Sequence, residues 1–96
     1  MSINAIKRIL KRKKVEIARE YKVKTIGIFG SYVRGEQNKR SDVDVLVEFR
    51  RPIGLIKFMS LENYLTELLG VKVDLVSKDA LKPYIGKHIL REAVYL

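Results

Sequence analysis

The sequence contains no cysteine and only one histidine among its 96 residues. The absence of cysteine excludes disulfide bonds, thiolate metal sites and cysteine nucleophiles. No apolar run approaches the roughly 20 residues that a membrane-spanning helix needs, so we expect a cytoplasmic protein without a membrane partner. The single histidine, His88, lies outside every motif described below, and we expect it to be structural.

Acidic residues are scarce relative to basic ones, which leaves a formal net charge of +9. Part of this excess lies near the amino terminus, in Lys7, Arg8 and the run Lys11 to Lys14. A basic cluster attracts nucleic acid, an acidic protein or the polyphosphate of a nucleotide. Because no aromatic side chain is interleaved with this cluster for base stacking, we favour a solvated helix face over a nucleic-acid site.

The length and composition predict one small globular domain over residues 1–96. The chain is 47% hydrophobic and 32% charged, which is typical of a folded rather than a disordered protein. A chain of this length can form a single hydrophobic core but leaves no room for a separate acceptor-binding domain. We therefore expect any large molecule that it modifies to bring its own recognition surface.

Apolar periodicity predicts an α/β fold in which helices and strands alternate. Ser2 is expected to cap the first helix. Pro83 and Gly86 interrupt the pattern near the end of the chain, so we expect only a short helix and a last strand after them. The predicted elements are helices over 3–21, after Ser31, over 55–69 and over 88–93, and strands over 25–29, 42–49, 71–76 and 94–96, with a loop over 35–41.

Two short motifs indicate the chemistry: the turn Gly30-Ser31 and the carboxylate pair of Asp42 and Asp44. Gly30 lets the backbone approach a triphosphate, and Ser31 offers a hydroxyl and an N–H to an anion. Asp42 and Asp44 are two residues apart on a predicted strand, so they point the same way and could bridge two divalent ions. The valines that alternate with them point to the core.

Neither motif is specific when it stands alone. Gly-Ser dipeptides are common in turns, and a pair of acids can lie exposed on an edge strand. The segment is not a P-loop, because the Gly-Lys-Ser/Thr ending is absent, and it lacks the Rossmann glycines. The two motifs together, with the spacing Gly-Ser-x10-Asp-x-Asp, favour an enzyme that transfers a nucleotide.

This spacing resembles the signature of the DNA polymerase β-like nucleotidyltransferase superfamily, and the chain resembles in particular its minimal nucleotidyltransferase (MNT) proteins. The resemblance covers about residues 24–76 and, more loosely, the rest of the chain to the carboxy terminus. It implies a small mixed β-sheet with helices packed mainly on one face and the strand acids converging on the other. It also implies metal-dependent transfer of AMP from ATP to a hydroxyl, with two Mg²⁺ ions.

The resemblance also assigns roles to individual residues. Asp42 and Asp44 would be catalytic and would bind metal. Asp74 matches the third acid of the superfamily, so it would bind the metal on the side of the attacking hydroxyl and help to take its proton. The alternative for Asp74 is an ion pair with Lys72 or Lys78, which leaves it without a catalytic role.

Three further residues are predicted to bind the nucleotide: Gly30, Ser31 and Arg34. Arg34 lies one helical turn beyond Ser31, within reach of a β- or γ-phosphate, and MNT proteins commonly have an arginine before glycine at this place. The alternative for Arg34 is an ion pair with Glu36 or Glu48.

Many MNT proteins are antitoxins that silence a helical HEPN-domain ribonuclease toxin by adenylylating one of its tyrosines. The resemblance, together with the missing acceptor domain, implies that a HEPN-type toxin encoded by a neighbouring gene is the partner here. Two alternatives remain open: an aminoglycoside-type nucleotidyltransferase with a small-molecule acceptor, and a non-enzymatic antitoxin that acts by contact. The first resembles larger two-domain proteins, and the intact motif residues argue against the second.

Overall fold

The computed structural model, which describes residues 1–96, contains four α-helices and one four-stranded mixed β-sheet. This architecture confirms the predicted α/β class and the small mixed sheet. A short 3-10 turn, Lys78–Ala80, follows the third strand. The elements are α1 (Ile3–Tyr21), β1 (Val23–Phe29), α2 (Ser31–Arg34), β2 (Val43–Phe49), α3 (Leu55–Leu69), β3 (Val73–Ser77), α4 (Pro83–Glu92) and β4 (Val94–Tyr95).

The strand order is β3-β2-β1-β4. β1 pairs antiparallel with both β2 and β4, whereas β2 and β3 are parallel. The segment from Gly30 to Asp42, which contains α2, joins the antiparallel pair, and α3 provides the crossover that a parallel pair requires. β1 and β2 therefore form the centre of the sheet, and the predicted acid motif lies on a central strand rather than on an edge.

The main hydrophobic core lies between the sheet and the two long helices. α1 begins at the cap Ser2, whose hydroxyl accepts a hydrogen bond from the N–H of Ala5 at 3.2 Å. Its bounds confirm the helix predicted over residues 3–21. Apolar residues at helical spacing on α1 and α3 meet those that alternate along the strands. The core residues are Ile6, Leu10 and Ile17 of α1, Leu61, Leu65 and Leu69 of α3, Val23, Ile26 and Ile28 of β1, Val43, Val45 and Val47 of β2, Val73 and Leu75 of β3, and Tyr32.

β1 begins earlier than predicted because its pairing contains an irregularity. Val23 pairs with Phe49 and Thr25 with Glu48, so the register shifts by one residue between Val23 and Thr25. A bulge of this kind changes which side chains face the core. Val23 is buried together with Ile26, although strict alternation would place the two on opposite faces. The prediction over 25–29 found only the regular part of the strand.

The predictions for the carboxy-terminal part were wrong in their boundaries. Pro83 does not interrupt the chain but begins α4, because a proline at the first position of a helix loses no hydrogen bond. Gly86 lies inside α4, where a Cβ would come within 3.2 Å of the Leu81 side chain. Here glycine permits close packing rather than a turn. β3 runs over Val73–Ser77 instead of 71–76, and β2 begins at Val43, one residue later than predicted.

None of the helices is both long and apolar enough to cross a membrane. α3 illustrates why, since its buried leucines alternate with exposed charged and polar residues. Even so, α3 carries the large apolar side chains Leu55, Ile56 and Met59 on its exposed side.

Two substitutions on α3 test the assignment of its buried face. Leu65 is fully buried, and we expect Leu65→Ala to lower the free energy of unfolding by about 2–5 kcal/mol through lost burial and a residual cavity. Ile56 is 84% exposed on the same helix, so Ile56→Ala should stay within about 0.5 kcal/mol of the parent. Urea unfolding followed by circular dichroism measures both. Equal losses in the two variants would contradict the packing of α3.

Candidate active site

The three predicted acids lie at one end of the two parallel strands. Asp42 directly precedes β2, Asp44 is its second residue, and Asp74 is the second residue of β3. Asp44 and Asp74 are register partners, and the N–H of Val43 donates to the carbonyl of Lys72 at 2.9 Å. Neighbouring residues in register point to the same face of a sheet. The fold thus places side by side two acids that are 30 positions apart in the sequence.

Gly30 approaches the acids from the neighbouring strand. It follows Phe29, the last residue of β1, which pairs with Asp44. A Cβ at Gly30 would lie 2.0 Å from Oδ2 of Asp44, and Gly30 has φ +80°, which disfavours any residue with a side chain. Space and backbone conformation therefore both require glycine here. Ser31 follows as the first residue of α2, so the predicted phosphate turn and the predicted metal ligands share one site.

The carboxyl of Asp44 ionises less readily than that of an ordinary aspartate. Burial, and after it the nearby carboxylates of Asp74 and Asp42, together raise the pKa of Asp44 from 3.8 to about 6, against the opposing charge of Arg34. Each of these carboxylates makes ionisation of its neighbour less favourable. The site is therefore short of positive charge around Asp44 in a protein whose net charge is +9.

The donor chemistry of the three aspartates fits Mg²⁺, which prefers carboxylate and phosphate oxygens. A cation bound between the acids would offset both the burial of the Asp44 carboxylate and the repulsion from its neighbours, which together raise its pKa. As the side chains stand, however, no group of three or more histidine or carboxylate side chains is gathered closely enough to hold a metal ion. Asp42, Asp44 and Asp74 are the residues that would hold it.

The alternative predicted for Asp74 is not what the structure contains. Lys72 lies 3.9 Å from Asp42, and Lys78 lies 3.9 Å from Glu48, so both lysines pair with other acids. Asp74 itself is exposed at the open end of β3. Its carboxylate thus remains accessible to an external group.

Arg34 does form ion pairs, but only one of the two predicted partners is correct. Its guanidinium contacts Glu36 and Glu92, each at 2.5 Å. Glu48, the other predicted partner, instead accepts from the Thr25 hydroxyl at 3.3 Å. About half of the Arg34 side chain stays exposed. It lies close enough to the acid cluster to lower the pKa of Asp44.

Glu92 is the site residue that the sequence did not reveal. Its Oε2 accepts a hydrogen bond from the N–H of Gly30 at 3.0 Å, and its Oε1 accepts from Arg34. Burial acts to raise the pKa of Glu92, but the hydrogen bonds from Gly30 and Arg34 outweigh it, and the pKa lies below its usual range. No motif marks Glu92, because it reaches Gly30 only through the fold of the last helix and strand.

His88, which we expected to be structural, lies beside the Glu92 side chain. It is exposed on α4, one helical turn before Glu92, and its charge helps to lower the pKa of Glu92. Its side chain lines a shallow depression of about 490 Å³ together with Arg34, Arg91 and Glu92. This depression adjoins the turn at Gly30 through Glu92, so the surface beside the turn Gly30-Ser31 is predominantly basic.

Comparison with known proteins supports the same assignment. The family model for the nucleotidyltransferase domain matches residues 5–96. Protein adenylyltransferase MntA of Thermococcus cleftensis is 49% identical over 96 residues, a match that covers 100% of this chain and 97% of that protein.

Solved structures agree with the sequence comparison. A structure described as a candidate minimal nucleotidyltransferase superimposes with a TM-score of 0.86 and 34% identity, covering 100% of this chain and 97% of the other. A chain from a crystal structure of a toxin–antitoxin with AMP-PNP has a TM-score of 0.74 and 25% identity, covering 88% of this chain and 70% of that one. The MNT resemblance and the polymerase β-like fold predicted from the sequence are thereby confirmed, and the chain belongs to the nucleotidyltransferase family.

Proposed function

We propose that this protein is a Mg²⁺-dependent adenylyltransferase that moves AMP from ATP to a tyrosine of a HEPN-type ribonuclease toxin and acts as its antitoxin. The observation that carries the proposal is the placement of Asp44 between its register partner Asp74 and the backbone of Gly30. This placement joins a carboxylate cluster to a turn suited to phosphate. The adenylyltransferase name of a 49% identical relative and the AMP-PNP in the similar toxin–antitoxin structure support the choice of ATP and of a protein acceptor.

The phosphate side of the site consists of the turn Gly30-Ser31 and Arg34. The glycine backbone and the Ser31 hydroxyl offer donors without a side chain in the way, and Arg34 supplies a full positive charge. These groups would bind the β- and γ-phosphates and so leave the α-phosphate toward the acids. Asp42 and Asp44 would hold Mg²⁺ there, and Mg²⁺ would neutralise charge that develops on the phosphates.

The reaction is attack of a hydroxyl oxygen on the α-phosphorus of ATP. A bond forms between that oxygen and phosphorus, while the bond from phosphorus to the bridging oxygen of pyrophosphate breaks. The proton of the hydroxyl passes to a base. Asp74 is suited to this role, because it lies next to Asp44 yet is exposed to the solvent side from which an acceptor arrives.

Catalytic roles for the acids predict two different defects. Asp42→Asn should reduce transfer by at least about 100-fold and weaken binding of Mg²⁺-ATP, because it removes a ligand charge. Asp74→Asn should slow transfer by a similar factor and leave ATP affinity nearly unchanged. Single-turnover transfer and calorimetric titration separate the two effects. Asp79→Asn, on an exposed acid outside the cluster, is the matched control, and equal behaviour of all three variants would contradict these roles.

The proposed metal site also predicts an unusual pH dependence of stability. The folded-state pKa of Asp44, about 6, lies above 3.8, so the folded protein binds this proton more tightly than the unfolded chain does. The contribution of Asp44 to the free energy of unfolding is then highest below about pH 4 and is lost as the pH rises through about 6. Asp44→Asn should therefore stabilise the metal-free protein at pH 7.5 by roughly 1 kcal/mol, since solvent screens this half-buried carboxylate.

Thermal unfolding with EDTA at pH 4 and pH 7.5 measures this gain, which should nearly vanish at the lower pH. Adding Mg²⁺ at pH 7.5 should raise the melting temperature of the parent and not that of Asp44→Asn. A parent that melts at the same temperature with and without Mg²⁺, at concentrations that support transfer, would remove Asp44 from the metal site.

Co-expression with the product of a neighbouring toxin gene tests the partner. We expect the wild-type chain to restore growth and the toxin to gain the mass of one or more AMP units on a tyrosine, mapped by mass spectrometry. The double variant Asp42→Asn/Asp44→Asn should fold but fail in both respects. Rescue by the double variant without any modified tyrosine would instead establish a non-enzymatic antitoxin that acts by contact.

A further inference from the structure

The carboxylate of Glu92 holds two of the groups that the proposed function assigns to the triphosphate. It accepts from the Gly30 N–H at 3.0 Å and from Nη1 of Arg34. A carboxylate and a phosphate both bind such donors as anions through charged oxygens. Glu92 and a phosphate cannot both accept full hydrogen bonds from the Gly30 N–H and from the same edge of the Arg34 guanidinium. Glu92 is also only 21% exposed, so its carboxylate is held in the site rather than extended into solvent.

We propose that Glu92 is an internal competitor of the nucleotide: its carboxylate occupies the phosphate turn in the free protein and leaves the turn when the triphosphate binds. This inference rests on the proposed function, because it takes Gly30 and Arg34 as phosphate ligands. It adds a residue that sets the affinity for ATP and links the site to the carboxy-terminal segment α4–β4.

The position of Glu92 follows from the pairing of the last strand. Val94 pairs antiparallel with Ile28, and Tyr95 pairs with Gly27. Gly30, which directly follows β1, is two residues beyond Ile28, and Glu92, the last residue of α4, is two residues before Val94. Continuing the same register therefore brings Glu92 opposite Gly30, and the hydrogen bond between them extends the ladder with a side-chain acceptor. The pairing of β4 with β1 thus places the Glu92 side chain beside Gly30.

The rest of the segment allows this carboxylate to move. β4 has only two residues, and the sole buried position on α4 is Gly86. Tyr84 and Ile85 on α4 are 88% and 58% exposed. A segment with few buried apolar contacts opens locally at low cost in free energy. Glu92 can therefore leave the turn, by rotation of its side chain or with the end of α4, while the core between α1, α3 and the sheet stays intact.

If Glu92 competes with the nucleotide, removing the negative charge of Glu92 should raise the affinity for ATP. Glu92→Gln keeps the size of the side chain but replaces a charge-assisted contact with a weaker neutral one. It also removes a negative charge beside the incoming phosphates. We expect ATP to bind about three- to tenfold more tightly to Glu92→Gln than to the parent. AMP lacks the β- and γ-phosphates, so its affinity should change by less than about twofold.

Glu36→Gln is the matched control, because Glu36 also pairs with Arg34 but has no contact with Gly30. It frees part of the guanidinium without freeing the turn, so its gain for ATP should stay below about twofold. Glu92→Asp, one methylene shorter, keeps the charge but cannot reach both donors equally well. Its gain should have the same sign as that of Glu92→Gln and be smaller. Circular dichroism checks the fold of each variant.

Isothermal titration calorimetry of the parent and the three variants, with Mg²⁺-ATP and with AMP, tests whether Glu92 competes with the nucleotide. A gain for ATP alone in Glu92→Gln, larger than in Glu36→Gln, supports the inference, as does ATP binding that is measurable only in Glu92→Gln. Unchanged or weaker ATP binding in folded Glu92→Gln overturns it and leaves the proposed function intact, provided that the parent binds ATP. Absence of ATP binding in the parent and in every variant overturns both.

Discussion

The contact between the Asp44 carboxylate and the backbone of Gly30 determines how the rest of the site is arranged. Asp44 lies on β2 and Gly30 directly follows the adjacent antiparallel strand β1, and the carboxylate occupies the volume that any Cβ at position 30 would fill. This arrangement requires the β1–β2 register to be fixed, because a slip of one residue would turn Asp44 into the core. Val43, Val45 and Val47 prevent the slip, since all three are fully buried on the opposite face. The hydrophobic core thus sets the position of the acid.

The same arrangement stabilises the fold through the core and destabilises it at the site. A carboxylate that is half-buried beside two others resists ionisation, which is why the pKa of Asp44 reaches about 6. Groups with perturbed pKa values cluster at functional sites, and a bound cation would compensate for this repulsion. The phosphate turn has the opposite imbalance, because its Gly30 N–H and Arg34 are donors that need an anion. Glu92 supplies that anion from within the chain. The acid cluster would therefore need a cation from solution, whereas the turn already holds an anion.

Much of the site could be predicted from the sequence, because the relevant signals are local. The period of two along β2 separates Asp42 and Asp44 from the valines, and the spacing from Gly30 places the turn on the preceding strand. Asp74 could be found from its strand-like neighbours together with the family resemblance. The roles of these residues in binding and catalysis remain predictions. What the structure adds is that Gly30, Asp44 and Asp74 meet at one end of the central strands.

The errors around α4 and the omission of Glu92 have a common physical origin in the carboxy-terminal segment. Pro83 and Gly86 have the propensity of turn residues, yet one begins α4 and the other packs against Leu81 inside it. Without the correct helix, the register of β4 on β1 could not be inferred, and neither could the contact of Glu92 with Gly30, 62 positions away. Tertiary context routinely overrides local propensity of this kind. β1, which ends just before the turn Gly30-Ser31, therefore lies between β2 and the carboxy-terminal segment α4–β4. Asp44 of β2 and Glu92 of α4 each place a carboxylate beside Gly30.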